Sequence, residues 1–116
     1  MTTVSLPSTL SSIGNNAFYQ CTALDNVHLA STDIEISTRA FDGCTGIITF
    51  SVVENFNSNL PLPTCSSLSQ DSVSNIITNY KNGSGKKLTV HASVYAAIPQ
   101  TELDRAAAKG LTIASA

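Results

Sequence analysis

The sequence predicts an α/β repeat solenoid, a chain wound so that equivalent residues of successive turns stack into columns. Three observations predict it. Between Leu10 and Val52 one pattern is stated twice, as Ile13, Ala17, Phe18, Cys21, Leu24, Val27 and Leu29, then as Ile36, Ala40, Phe41, Cys44, Ile47, Phe50 and Val52, every pair at the same offset. Apolar positions that hold register while polar positions between them vary are what stacked turns require. The end of each statement also alternates apolar with polar residues, the period of a strand. From Ser69 the period becomes helical, with Val73, Ile76, Ile77 and Tyr80 at i, i+3, i+4 and i+7. The expected architecture is a parallel sheet, an irregular convex side in the N-terminal half and helices in a C-terminal cap.

Composition bounds the rest. A chain of 116 residues suits one domain, burying roughly 65% of its unfolded surface. Charged residues make up 12%, about half the usual share, and Ser, Thr and Asn supply the polarity instead. A net charge of −2 leaves no basic footprint, so nucleic acid is not an expected partner. The one basic pair, Lys86-Lys87, reads as the solvated start of a strand. No run approaches the roughly 20 apolar residues of a membrane span, so no membrane insertion is expected. Met1-Thr2-Thr3 has neither a basic n-region nor an apolar h-region, so this chain carries no recognisable export signal. Val4-Ser5-Leu6 matches the end of a repeat, Val27-His28-Leu29, with nothing before it. That points to a C-terminal excerpt of a longer protein with upstream repeats.

Three cysteines leave one unpaired, so a closed disulfide framework is not expected. Cys21, Cys44 and Cys65 read instead as one repeat position. Stacked rungs lie about 4.8 Å apart, longer than the Cβ separation near 3.8 Å that a disulfide prefers, so reduced and buried thiols are expected. Without a C-x-x-C or a His pair, no metal is expected.

In chain order, Thr3 to Pro7 is a first strand with Val4 and Leu6 inward, and Pro7 ends it. Leu10 to Gly14, with Asn15-Asn16, turns the back of the coil. Ala17-Phe18 and Ala40-Phe41 set a small residue beside a large one, a close-packed joint in which Phe18 plugs the space between coils. Strands follow at Leu24 to Leu29 and Ile47 to Val52. Their outward residues form two columns, Thr3, Asn26, Thr49 and Ser5, His28, Ser51.

Residues 1–68 are therefore read as repeats of about 23 residues, and 69–116 as a helix-strand-helix-strand cap continuing the same sheet. Ser69 caps the first helix with Asp71 in its first turn, and Lys81-Asn82-Gly83 closes it. Leu88 to His91 alternates as a strand, Val94 to Ile98 makes an apolar turn, and Pro99 opens a helix with Leu103, Ala106 and Ala107 facing the core. Gly110 ends that helix. Leu88 and Val90 recur one repeat length on as Leu111 and Ile113, the expected last strand.

The spacing I-x-x-x-A-F-x-x-C-x-x-L-x-x-V-x-L, at Ile13 to Leu29 and again at Ile36 to Val52, resembles the BspA-like, or Treponema pallidum type, bacterial leucine-rich repeat. The resemblance covers about the first half of the chain. It implies a leucine-rich-repeat right-handed coil, usually in surface or secreted bacterial proteins, with protein or glycan binding or adhesion as the usual role. The third unit departs from it, since Asn55 to Pro63 lacks an A-F pair and only Cys65-Ser-Ser-Leu68 keeps C-x-x-L.

Candidate chemistry is thin. Cys65 with His91 is the one thiol and imidazole pair to weigh as a catalytic site, and the repeat alignment reads Cys65 as a ladder residue instead, so no enzyme and no cofactor is expected. Asp25, Asp33, Glu35 and Asp42 fall on edges, unpaired for acid-base work. Asn82-Gly83-Ser84 matches a glycosylation sequon, but Asn-Gly is first a turn signal, and the turn is the expected reading. Gly83-Ser84-Gly85 precedes a strand, not a helix, which excludes a phosphate loop. Tyr80 and Tyr95 are aromatic contacts or core edges. The candidate binding residues are the outward Thr3, Ser5, Asn26, His28, Thr49 and Ser51. The expected function is a non-catalytic protein- or glycan-binding module of a bacterial surface or secreted protein. The alternatives are a structural end cap or spacer, or a small intracellular or phage-encoded interaction module.

Overall fold

The computed structural model describes residues 2–115. Met1, part of the reading of the chain's start, and Ala116, the end of the expected cap, lie outside them. Three parallel strands open the fold: β1 (Thr2–Leu6), β3 (Leu24–Leu29) and β5 (Thr49–Val52), side by side in that order. Between them on the other side of the chain run β2 (Ser12–Ile13) and β4 (Glu35–Ile36), a second parallel pair. Val4 pairs with Val27, Val27 with Phe50 and Ile13 with Ile36, and every one of these steps is one repeat length. The repeated pattern is thus a physical register. The third strand is shorter than expected, starting at Thr49, although Ile47 before it is fully buried.

The inward residues Leu24, Val27, Leu29, Ile47, Phe50 and Val52 are buried, the term that dominates folding. On the back, Phe18 and Phe41 stack with centroids 5.1 Å apart and planes at 1°, and Phe41 meets Phe50 edge-on at 5.4 Å. Main-chain bonds tie the two back segments together, Phe18 N–H to Ala40 O at 2.8 Å and Gln20 N–H to Asp42 O at 2.8 Å. Gln20 and Gly43, equivalent positions, both adopt positive φ, 54° and 80°. A side chain at Gly43 would come within 2.9 Å of the Gln20 side chain, so glycine is needed where the second turn closes over the first.

After Val52 the chain changes plan. Helix α1 (Gln70–Asn79) lies along the free edge of β5, where a fourth strand would otherwise sit. Ser69 caps it by accepting the Ser72 N–H at 3.1 Å, as expected. Its side chains take over ladder bonds: Ser72 Oγ accepts the Phe50 N–H at 3.2 Å and donates to Ile48 O at 3.0 Å, and Asn79 Nδ2 donates to Val52 O at 2.8 Å. Val73, Ile76 and Ile77 face the core, and Tyr80, just past the helix, is buried with its hydroxyl donating to Ser58 O at 2.6 Å.

The remaining strands join a different sheet. β6 (Leu60–Leu62), β7 (Lys87–Val90) and β8 (Thr112–Ser115) form a parallel sheet in that order. The expectation that the C-terminal segment continues the same sheet is therefore corrected: α1 occupies the edge of β5, and β7 pairs with β6 instead. The expected spacing also fails there, since Leu88 pairs with Ile113 and not with Leu111, and Leu60 pairs with Leu88, both steps longer than the repeat. Leu111 stays buried but precedes the strand.

The segment expected as an apolar turn is a short helix, α2 (Ala92–Ala96), because His91 Nδ1 accepts the Ser93 N–H at 3.1 Å and nucleates it. Helix α3 (Gln100–Ala108) follows Pro99 as its cap residue. It buries Ala106 and half-buries Leu103, whereas Ala107, expected inward, is exposed beyond the edge of that stripe.

Candidate functional site

The outward face of the β1–β3–β5 sheet carries the six candidate residues in two rows. Strand pairing sets Thr3 beside Asn26 beside Thr49, and Ser5 beside His28 beside Ser51. Alternation along each strand produces this, because Val4, Val27 and Phe50 point into the core between them. Thr3, Ser5 and Thr49 are exposed, while Asn26, His28 and Ser51 are half-buried. His28 Nδ1 and Ser51 Oγ lie 2.8 Å apart, and Ser51 Oγ also reaches Val27 O at 3.5 Å. These six residues offer hydroxyls, an amide and one imidazole at rungs about 4.8 Å apart, a regular array of donors and acceptors.

The cysteine column is not built for catalysis. All three thiols are free, with Cys44 and Cys65 buried and Cys21 half-buried. Cys44 Sγ donates to Phe18 O at 2.8 Å. Burial pushes the Cys44 thiol above its usual range, and burial, with Cys44 beside it, pushes Cys65 up to about 12. A thiol held protonated is a poor nucleophile. His91, its supposed partner, is engaged in capping α2.

The other candidates fall to structural roles. Asp42 pairs with Arg39 at 3.3 Å. Gly83 adopts φ 71° and its N–H donates to Lys109 O at 2.8 Å, so Asn82-Gly83 is a turn. Tyr95, half-buried, lines an open cleft of about 530 Å³ with Leu103 and Ile113 between α3 and β8.

The structure adds a polar furrow that the repeat pattern does not announce. Three openings of about 450, 430 and 250 Å³ adjoin one another through shared walls at Asp33 and Asn57, and at Ile36 and Asn59. They follow the seam where β4 and β6 fail to pair. Asn55, Asn57 and Asn59 line it at alternate positions. That period-2 asparagine run is present in the sequence, in the stretch that lacks an A-F pair.

Stacked parallel strands with apolar columns inward and polar rows outward define a repeat module. The chain belongs to the BspA-type leucine-rich repeat family: the family model described as "BspA type Leucine rich repeat region (6 copies)" matches residues 1–94. The match runs past Leu68 through α1 and β7 into α2. No curated protein and no solved structure gives a significant match. Members of the family are repeat modules, often surface-associated and generally non-catalytic. Among the described residues no helix is long and apolar enough to cross a membrane.

Proposed function

We propose that this chain is a non-catalytic binding module, a right-handed solenoid whose polar face on β1, β3 and β5 engages a protein or glycan at a bacterial cell surface or in secreted form. The observation that carries this reading is the Ser5–His28–Ser51 row beside Thr3–Asn26–Thr49. Short hydroxyl and amide side chains in register present hydrogen-bonding groups at little entropic expense, since few rotatable bonds must be fixed on binding. Screening the chain against a glycan array and a panel of extracellular host proteins tests it. Binding that His28→Ala or Asn26→Ala weakens at least tenfold supports the reading, and binding indifferent to both contradicts it.

A second reading, a spacer or end piece within a longer repeat protein, is favoured by the first unit. No charged residue occurs before Asp25. Val4, Leu6, Phe18 and Cys21 are only half-buried, whereas Val27, Leu29, Phe41 and Cys44, their equivalents in the next repeat, are 0% exposed. Apolar columns left half-covered in this way suit a unit whose part is to stack, which supports the structural reading.

A further inference from the structure

We propose that the furrow between β4 and β6 is a second binding site, which takes an extended peptide of mixed charge as an added strand. The geometry that opens it is local. Part-way along the furrow the two segments are joined, Asn57 N–H to Thr32 O at 2.8 Å and Ile34 N–H to Ser58 Oγ at 2.8 Å, between residues that line its openings. Beyond that point they part. β4 pairs only with β2 and β6 only with β7 among the described residues, so each keeps one unpaired edge facing the other. Pro61, mid-way along β6, has no N–H to offer β4, which accounts for the failure to close.

An unpaired strand edge is a template for another backbone, and here it is the edge of β4 at exposed Glu35 that lies open, since Leu60 and Leu62 of β6 are 0% exposed. The asparagines strengthen the case, because a side-chain amide presents a donor and an acceptor side by side, the same pair that an extended peptide bond presents in return. Asn59 Oδ1 already accepts a main-chain N–H, that of Lys87 at 2.9 Å. Asn57 Oδ1 is buried without a hydrogen-bond partner, an acceptor left unpaired beside the furrow.

Charge fixes the class of peptide. Asp33 and Glu35 stand on the β4 side, while Lys81, Lys86 and Lys87 stand on the side of β6 and β7. None of the five is in an ion pair; the ion pairs among the described residues are Arg39–Asp42 and Arg105–Glu102. Opposed walls of opposite sign fit a ligand carrying both signs along its length and repel a polyanion or a polycation on one wall or the other.

The test is a selection of random ten-residue peptides on the whole chain, followed by titration of the enriched peptides against variants. Glu35→Lys and Lys86→Glu reverse the two walls, and both should weaken binding at least tenfold, whereas His28→Ala on the other sheet should leave it within twofold. Alternate N-methylation of an enriched peptide should abolish binding, because a strand cannot pair without its N–H groups. Failure to enrich any peptide, binding unmoved by both reversals, or binding unmoved by N-methylation overturns the proposal. So does a neutral oligosaccharide, tested in parallel, whose binding the same reversals remove while no peptide is enriched. Circular dichroism of each variant separates loss of the site from loss of the fold.

Discussion

Phe18 and Phe41 lie face to face, ring planes 1° apart and centroids 5.1 Å apart, although they belong to successive repeats of the chain. The pair joins the first back segment to the second, yet its members are not equal. Phe41 is 0% exposed and also meets Phe50, while Phe18 is half-buried at the end of the stack. Phe41→Ala should destabilise the protein by about 3 to 5 kcal/mol through a dry cavity, and Phe18→Ala by clearly less, because solvent already reaches one side of its ring. Denaturant melts of the two variants check this; equal losses would contradict the burial order.

Ser72 fastens α1 to the edge of β5. Removing its hydroxyl leaves the Phe50 N–H without its partner at a site that is 2% exposed, while the Ile48 carbonyl keeps only the Ser69 N–H at 2.9 Å. Ser72→Ala should therefore lower stability by about 1 to 3 kcal/mol, and hydrogen exchange at the Phe50 amide should accelerate. Asn75→Ala, at an exposed position of the same helix, is a suitable comparison.

Gly46 passes within contact distance of the chain before it: a Cβ there would fall 2.2 Å from Thr22 O. Gly46→Ala must push the second unit away from the first and should cost about 1 to 3 kcal/mol, whereas Gly14→Ala, with open space around it, should be nearly neutral. Thermal melts of the two alanine variants distinguish close stacking of units from a looser arrangement.

The buried thiols give a pH dependence with a definite sign. Cys65 is raised by burial from the ordinary 9.0 to about 12 in the folded state. A folded pKa above the unfolded one stabilises fully below pH 9.0 and loses that contribution as pH climbs from 9.0 towards about 12. Tyr80, also raised by burial, acts in the same alkaline direction. Unfolding midpoints measured from pH 8 upward should fall, and Cys65→Ser should flatten the part of that fall belonging to the thiol. In the folded protein an alkylating probe should modify Cys21 first, with Cys44 and Cys65 reacting only on unfolding.

Much of this is legible in the sequence where one residue type repeats in one column. The Val27–Phe50 register, the back-side Phe18–Phe41 contact and the outward rows follow from period, and the Ser69 cap from a serine set just before a helical apolar stripe. What period cannot reveal is a change of partner. Leu88 and Leu111 stand at the same offset as the true repeats, but pairing is decided by which edge remains open, and Ser72 and Asn79 already close that of β5. Leu60-Pro61-Leu62 escapes notice for the same reason. It lacks the repeat's letters, and its proline is tolerated only because that edge faces a gap. The furrow is a consequence of this mismatch, which explains why no repeat-based reading finds it.

The stacking register itself is tested most directly by nuclear Overhauser contacts across β3 and β5. The account predicts Hα to H–N contacts of a parallel pair connecting Val27 and His28 with Phe50 and Ser51, together with ring-proton contacts between Phe18 and Phe41. An antiparallel pattern, a register offset by even one residue, or no contact between the two rings would contradict it.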